Sequence, residues 1–147
     1  MWYHIVTKEK GGSMKKRISD KIHSAGLRVT PQRVWIYDYL ERYKTHPDAE
    51  EVYEAVKRSE MAITMSTVYN VLQAFVDHGL AVEVKLDGDR VRYDANVNMH
   101  GHFICKECKS IYDFNVKSLT VTGLEGFETD IRDVYFSGVC KKCKNNN

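Results

Sequence analysis

The chain has 147 residues, of which 43% are hydrophobic and 29% charged, and its formal net charge at pH 7 is +2. This composition is typical of a folded globular protein rather than a disordered one, and no run approaches the roughly 20 apolar residues that a membrane helix needs. The N-terminal sequence lacks the features of a secretory signal, so we expect a cytoplasmic protein with no membrane partner. Residues 1–13 end in Gly-Gly-Ser, and we expect them to be a tag or a disordered extension outside the fold.

The positive charge is concentrated at the N-terminal end of the chain. Residues 1–33 contain eight Lys and Arg against two Asp and Glu, a balance of +6, whereas residues 34–63 contain four against seven, a balance of −3. A basic arm of this kind favours a phosphate-bearing partner, although a solvated charged face would have the same composition.

The first two predicted helices are marked by their terminal residues. Residues 14–25 form the first, which Gly26 ends. In the following sequence, RVTPQR, Thr30 is placed to cap a second helix, and Pro31 occupies its first position, where a missing N–H is tolerated. This second helix should reach about Tyr43.

A capping box predicts the start of a third helix, because Glu51 stands three positions after the N-cap residue Asp48. Apolar residues then recur at helical spacing, so the helix should bury one stripe. The stripe consists of Ala49, Val52, Tyr53 and Val56.

The fourth predicted helix has one apolar and one polar face. The apolar face consists of Val68, Val71, Leu72 and Phe75. The polar face consists of Ser66, Tyr69, Asn70 and Gln73. The next segment, LAVEVKLDGDRVRYD, alternates on both sides of Asp87-Gly88, which is a strong hairpin signal. Three helices, a helix with a polar face and a hairpin predict a winged helix-turn-helix whose fourth helix enters the major groove of DNA.

The polar face of the fourth helix suits base edges, since Asn and Gln side chains pair with adenine and a tyrosine ring packs on a thymine methyl group. Residues 64–82 contain no Lys or Arg, so phosphate affinity must come from other segments. The candidates are Lys15, Lys16, Arg17, Lys21, Arg28, Arg33, Arg90 and Arg92. The alternative is a small helical domain that exposes a polar face and binds nothing.

From Asp94 onward the sequence changes to short segments rich in β-branched and aromatic residues, which favour strands. They are GHFICKEC, SIYDF and DVYFSGVC. We therefore predict an α+β protein with a winged-helix DNA-binding domain over residues 14–93 and a small C-terminal α/β domain over residues 94–147.

Four cysteines occur as two C-x-x-C pairs, and 31 residues separate the pairs. In a reducing compartment, two such pairs favour one tetrahedral zinc site, which would join the last strand to the first. A redox dithiol, a rubredoxin-like iron or an iron–sulfur cluster are the alternatives. The four residues are Cys105, Cys108, Cys140 and Cys143.

A second metal site is predicted beside the first. In an extended strand His100 and His102 point to one face and Cys105 to the other, so one strand can serve two metals. Such a histidine pair is also common as a merely hydrogen-bonded one. The partner candidates are Asp94, Asp113 and His46. This set of imidazoles and carboxylates suits Fe(II), Mn(II) or Zn(II), and His46 would connect the site to the DNA-binding half.

Six motifs in order carry a family resemblance over about residues 15–144. They are RVTPQR, HPDAEEVY, STVYNVLQAF, HGHFICKEC, IYDF and GVCKKC. Together they resemble the ferric uptake regulator family of metal-dependent repressors, and within it the peroxide-sensing subgroup. The resemblance implies a homodimer that pairs through its C-terminal domains and binds a palindromic operator in double-stranded DNA.

The resemblance also implies roles for individual residues. Structural Zn(II) is assigned to Cys105, Cys108, Cys140 and Cys143. The regulatory ion, Fe(II) or Mn(II), with Zn(II) also expected in purified protein, is assigned to His46, Asp94, His100, His102 and Asp113. Minor-groove contact is assigned to Arg28, and base reading to Thr64, Ser66, Thr67, Tyr69 and Asn70. In peroxide-sensing relatives a ligand histidine, here His46 or His100, is oxidised and the metal is lost.

The subgroup depends on Asp113, where iron-uptake regulators usually carry Glu, and on Arg132, where many of them carry His. An iron- or zinc-responsive uptake repressor of the same family is the alternative, and a dithiol redox enzyme that uses the C-x-x-C pairs is a third interpretation. A sensor that is oxidised once does not turn over, so we expect no enzymatic activity.

Overall fold

The computed structural model describes residues 11–98, 100–129 and 133–146 of the chain. The chain divides into two compact units. The N-terminal unit comprises Met1–Lys85 and Asp89–Val97, and the C-terminal unit comprises Leu86–Gly88 and Asn98–Asn147. No helix in the described ranges is both long and apolar enough to cross a membrane.

The described part of the N-terminal unit contains four helices and the strands of a hairpin. They are α1 (Gly11–Ser24), α2 (Pro31–Arg42), α3 (Ala49–Arg58), α4 (Met65–Asp77), β1 (Val82–Asp87) and β2 (Arg90–Asp94), and the last two residues of β1 fall in the C-terminal unit. Helix α1 begins three residues before the predicted start at Met14, so the Gly-Gly-Ser segment is helical. Residues 1–10, the rest of the expected extension, lie outside the described residues.

Side-chain caps set the starts of three helices. The Thr30 hydroxyl accepts a hydrogen bond from the Arg33 N–H at 3.2 Å at the start of α2. At α3 the capping box is complete, since the N–H groups of Asp48 and Glu51 each donate to the other residue's carboxylate. Thr64 caps α4. Each cap satisfies an N–H group that the helix itself leaves without a partner.

The apolar faces of these helices meet in one core. Helix α4 buries Val68, Val71, Leu72 and Phe75. The Phe75 ring meets the buried Tyr37 ring of α2 edge to face, with the centroids 5.6 Å apart. This arrangement leaves the polar face of α4 exposed, as its sequence pattern predicts.

Helices α1 and α2 are also joined by charge. Arg17 and Lys21 of α1 pair with the Glu41 carboxylate of α2. Burial raises the pKa of Glu41, but these two cations outweigh the effect of burial and leave the pKa below its ordinary value.

The described part of the C-terminal unit contains a three-stranded sheet and a short helix. The elements are β3 (His100–Cys105), β4 (Ile111–Asn115), β5 (Val134–Gly138) and α5 (Lys141–Asn145). The strand order is β4-β3-β5. Strand β3 pairs antiparallel with β4 and parallel with β5. Because β3 and β5 run in the same direction, Cys105 and the residues that follow Gly138 lie at the same end of the sheet.

Candidate metal centres and nucleic-acid interface

The four cysteine sulfur atoms converge at the end of the β3–β5 pair. All four lie within 4.8 Å of one another, and Cys108 and Cys140 are 3.7 Å apart. A tetrahedral zinc ion with Zn–S bonds of about 2.3 Å would separate its sulfur ligands by about 3.8 Å. The arrangement therefore fits a tetrahedral thiolate site.

Main-chain groups favour a thiolate at this cluster. Hydrogen bonds from the N–H groups of Cys108 and Cys140 lower the pKa of the Cys105 thiol to about 6, and the N–H of Cys140 lies 3.3 Å from the Cys105 sulfur. A hydrogen bond to Cys140 raises the pKa of Cys143 to about 12. The Cys143 proton must therefore leave when a metal ion binds.

Three donors of the C-terminal unit form a second group on strands β3 and β4. In the antiparallel register His102 stands directly opposite Asp113. The Nε2 atoms of His102 and His100 lie 3.4 Å and 3.7 Å from Asp113 Oδ1. Two ligand atoms that each lie about 2.1 Å from one ion are at most about 4.2 Å apart. These three side chains can therefore share one metal ion.

The tautomer of His100 is set by its neighbour Asn98. His100 Nδ1 lies 2.7 Å from the Asn98 main-chain oxygen, and a carbonyl oxygen only accepts hydrogen bonds, so Nδ1 carries the proton. In the neutral imidazole the lone pair is then on Nε2, which faces Asp113. Metal-bound histidines commonly have such a second hydrogen bond. Sequence reasoning could not find this partner, because a main-chain carbonyl has no residue-type signature.

Two more donors form a buried pair within the N-terminal unit. His46 lies in the loop between α2 and α3, and Asp94 ends β2. His46 Nε2 lies 3.2 Å from Asp94 Oδ2, and the two side chains are 1% and 6% exposed. This distance also suits two ligands of one ion.

Two arginines that the sequence suggested for DNA contact have other partners. Arg90 pairs with the carboxylates of Asp48 and Glu51 at 2.7 Å and 2.8 Å. Arg92 is buried, and its guanidinium donates to the main-chain oxygens of Thr45 and His46. These contacts argue against phosphate binding by either residue. The sequence did contain one sign of these contacts. Arg90, Arg92 and Asp94 alternate along β2, which places all three side chains on one face of the strand.

The predicted DNA-contacting residues lie on the surface of the N-terminal unit. Tyr69 is 50% exposed, and Ser66 and Asn70 are exposed beside it on α4. Thr64 caps the helix and is exposed, Thr67 is partly buried next to it, and Arg28 is exposed before α2. Arg132, which entered the subgroup prediction, lies outside the described residues.

Comparison with known proteins identifies the family. Residues 24–135 match the family model described as the ferric uptake regulator family. This chain belongs to that family. Its members are transcriptional regulators, and the membership confirms the predicted metal-dependent repressor with a winged helix-turn-helix and a C-terminal domain that has a four-cysteine cluster.

Individual relatives in the ferric uptake regulator family include peroxide and iron regulators. The chain is 34% identical over 128 residues to the peroxide-responsive repressor PerR of Staphylococcus aureus strain Mu50, covering 84% of this chain and 86% of the relative. The structure of the ferric uptake regulator of Pseudomonas aeruginosa with manganese matches with a TM-score of 0.65 and 27% identity, over 84% of this chain and 97% of that one. The Campylobacter jejuni peroxide stress regulator matches with a TM-score of 0.62 and 25% identity, over 87% and 97%.

Proposed function

We propose that the chain is a peroxide-sensing repressor whose DNA binding depends on a regulatory Fe(II) or Mn(II) ion. The proposed ligands of that ion are His46, Asp94, His100, His102 and Asp113. The observation that carries the proposal is the set of donor atoms around Asp113. The Nε2 atoms of two imidazoles, His100 and His102, lie within 3.7 Å of the Asp113 carboxylate oxygen, so all three donor atoms are nitrogen or oxygen. Such donors suit Fe(II) and Mn(II), whereas thiolates favour zinc.

The proposed ion takes ligands from both units. His46 and Asp94 belong to the N-terminal unit, and the other three ligands belong to the C-terminal unit. Binding of the ion would therefore link the two, and its loss would release the link. This gives metal occupancy a means of controlling the winged helix.

The peroxide response follows from the chemistry of the ion. An Fe(II) ion held by these ligands would supply the electron that cleaves peroxide and would so generate an oxidant beside His46 and His100, whereas Mn(II) would not react in this way. His46 and His100 are the proposed sites of oxidation. An imidazole that has gained oxygen donates more weakly to a metal, so the ligand set fails after one event, without enzymatic turnover. Similarity to the S. aureus peroxide-responsive repressor supports this assignment.

We assign structural Zn(II) to the four-cysteine cluster, in keeping with its sulfur spacing. The competing interpretation is a dithiol redox enzyme. A redox-active cysteine needs a low pKa together with solvent access. Cys105 has the low pKa, but it is 0% exposed. This combination favours a metal ligand over a redox centre.

For DNA, we propose that α4 reads base edges through Tyr69, Asn70, Ser66, Thr64 and Thr67, and that Arg28 enters the minor groove. A homodimer bound to a palindromic operator is the matching assembly. Exposed apolar residues of the C-terminal unit support pairing, since Phe127, Tyr135 and Phe136 are 69%, 56% and 59% exposed. The operator of a bacterial repressor lies in the cytoplasm, so the proposed function places the chain there.

The test uses zinc-loaded protein and a duplex selected from random sequences in the presence of Mn(II). Fe(II)-loaded protein treated with one equivalent of peroxide should release this duplex. Mass spectrometry should then find added oxygen on a peptide that contains His46 or His100. Mn(II)-loaded protein should do neither. A His78→Ala variant is the matched control, because His78 is an exposed histidine at the end of α4.

The same experiment separates the second candidate, an iron- or zinc-responsive uptake repressor, which the likeness to the P. aeruginosa regulator favours. An uptake repressor would release DNA when the metal is removed, but neither histidine would gain oxygen after peroxide treatment. Unmodified peptides after peroxide treatment would therefore contradict peroxide sensing and leave metal-dependent repression intact.

A further inference from the structure

One face of strand β2 holds the loop that carries His46. Arg90, Arg92 and Asp94 alternate along the strand, so their side chains leave it on the same side. Asp94 Oδ2 lies 3.2 Å from His46 Nε2. Arg90 contacts the capping box at the start of α3. Arg92, which lies between them, contacts the loop main chain.

Arg92 holds the His46 segment through carbonyl oxygens. Its Nη1 donates to the oxygens of His46 at 3.2 Å and Thr45 at 3.4 Å. The next residue of the strand adds a main-chain bond, from the Tyr93 N–H to the Pro47 oxygen at 2.9 Å. Strand β2 and the loop are thus joined at consecutive positions.

The backbone of His46 needs such external support. Its φ is +54°, in the left-handed region that residues other than glycine rarely adopt. Pro47 follows it, and a proline disfavours helical conformations in the preceding residue and favours extended ones. The local sequence therefore does not favour this conformation, which must be maintained by contacts from outside the loop.

We propose that Arg92 is a positioning residue for the metal ligand His46. By binding the carbonyl oxygens of Thr45 and His46, Arg92 holds the backbone in the left-handed conformation that directs the imidazole to Asp94. The proposal rests on the proposed function, in which His46 and Asp94 are ligands. It extends that function because strand β2 of the hairpin then supplies the ligand Asp94 and also orients the ligand His46.

Burial strengthens the argument, because Arg92 is only 7% exposed. A guanidinium holds Nη1, the donor to both carbonyl oxygens, in a rigid plane, whereas a lysine ammonium is a point charge on a flexible stem. Mn(II) binding should therefore be weaker in Arg92→Lys than in the wild type, and weaker still in Arg92→Met.

The experiment measures Mn(II) dissociation constants by calorimetry on the zinc-loaded full chain. Arg92→Met should weaken Mn(II) binding by about tenfold or more, in the range found for residues that orient metal ligands, and Arg92→Lys should lie between this variant and the wild type. Arg17→Met is the matched control, because the guanidinium of Arg17 donates its hydrogen bonds to Glu41 of α2 in the same unit. Its Mn(II) affinity should be unchanged.

A double-mutant cycle separates positioning from general destabilisation. If Arg92 acts through His46, then Arg92→Met should cause no further loss of Mn(II) affinity in a His46→Ala background. An equal loss in both backgrounds would overturn the proposal. Zinc content and the urea midpoint of each variant, measured without Mn(II), show whether it is folded, and Arg92→Lys provides the test if Arg92→Met does not fold.

Failure of the inference is distinguishable from failure of the proposed function. If His46→Ala weakens Mn(II) binding but folded Arg92→Met and Arg92→Lys do not, the positioning role is wrong and the ligand assignment stands. If His46→Ala itself leaves Mn(II) binding unchanged, the ligand assignment is wrong and the positioning role is overturned with it.

Discussion

Replacing Gly101 with alanine should destabilise the C-terminal unit, because the ring of Phe114 fills the space that a Cβ would need. Gly101 pairs with Phe114 across strands β3 and β4. A Cβ at Gly101 would lie 2.0 Å from the tip of the Phe114 ring and 2.1 Å from a neighbouring ring atom. Neither distance is compatible with van der Waals contact, so the ring would have to swing away from the strand.

The cost of this movement can be worked out from the contacts of the ring. Phe114 stacks on Phe136 of β5, with the centroids 5.1 Å apart and the planes at 7°. Such a pair contributes about 0.5–1.5 kcal/mol beyond burial, and exposing apolar surface on the order of 40 Å² would cost about 1 kcal/mol more. Alanine is favoured over glycine within a strand by about 0.5–1 kcal/mol, which offsets part of the loss. The net loss of unfolding free energy should be about 1 kcal/mol.

The assay should follow the C-terminal unit itself, for example through the urea concentration at which zinc is released to a chromophoric chelator. In a Phe114→Ala background the obstructing ring is absent, so Gly101→Ala should become stabilising by about 0.5–1 kcal/mol. This reversal of sign is the specific expectation. Equal destabilisation in both backgrounds would refute the steric explanation and indicate that the backbone of Gly101 requires glycine for another reason.

Three further predictions concern the zinc cluster, an ion pair and the DNA-reading helix. Cys143→Ser should lower bound zinc, measured by elemental analysis, and should lower the urea midpoint of the C-terminal unit; full zinc retention would contradict the four-cysteine assignment. Glu41→Gln should lower the unfolding free energy at neutral pH by about 0.5–1 kcal/mol. Because the pKa of Glu41 is depressed in the folded state, this difference should shrink as pH falls through the titration range of the carboxyl, and a constant difference in urea unfolding across pH would count against the ion pair. Tyr69→Ala should weaken binding to the selected duplex by about 1–3 kcal/mol in fluorescence anisotropy, and an equal loss on random DNA would exclude base reading.

The helices of the N-terminal unit could be predicted because their signals are local. Thr30, and Asp48 with Glu51, each cap a helix within three residues of themselves, and their hydrogen bonds are those that the sequence spacing requires. The polar face of α4 was equally readable, since a helical period separates buried from exposed positions without knowledge of the partner.

Contacts between distant segments were less accessible. Arg90 and Arg92 look like phosphate-binding residues when only their charge is considered, but their acceptors lie more than 35 residues away in sequence. The close approach of the Phe114 ring to Gly101 depends in the same way on strand register. The parallel pairing of β5 with β3 depends on a long connection with no periodic signal. Composition and spacing identify residue types and faces, whereas partners are set by the tertiary fold.

Strand β3 carries proposed ligands of both metal sites. His102 is paired with Asp113 on the antiparallel side, toward β4, and Cys105 is paired with Gly138 on the parallel side, toward β5. The main-chain bonds of both neighbours hold the strand, since the Lys106 N–H also donates to the Gly138 oxygen at 2.7 Å. A zinc ion at the cysteines would close the end of the sheet and keep the histidine strand in register. In the proposed sensor, loss of the regulatory ion would then leave the zinc-closed sheet intact, so only the link to the winged helix would be lost.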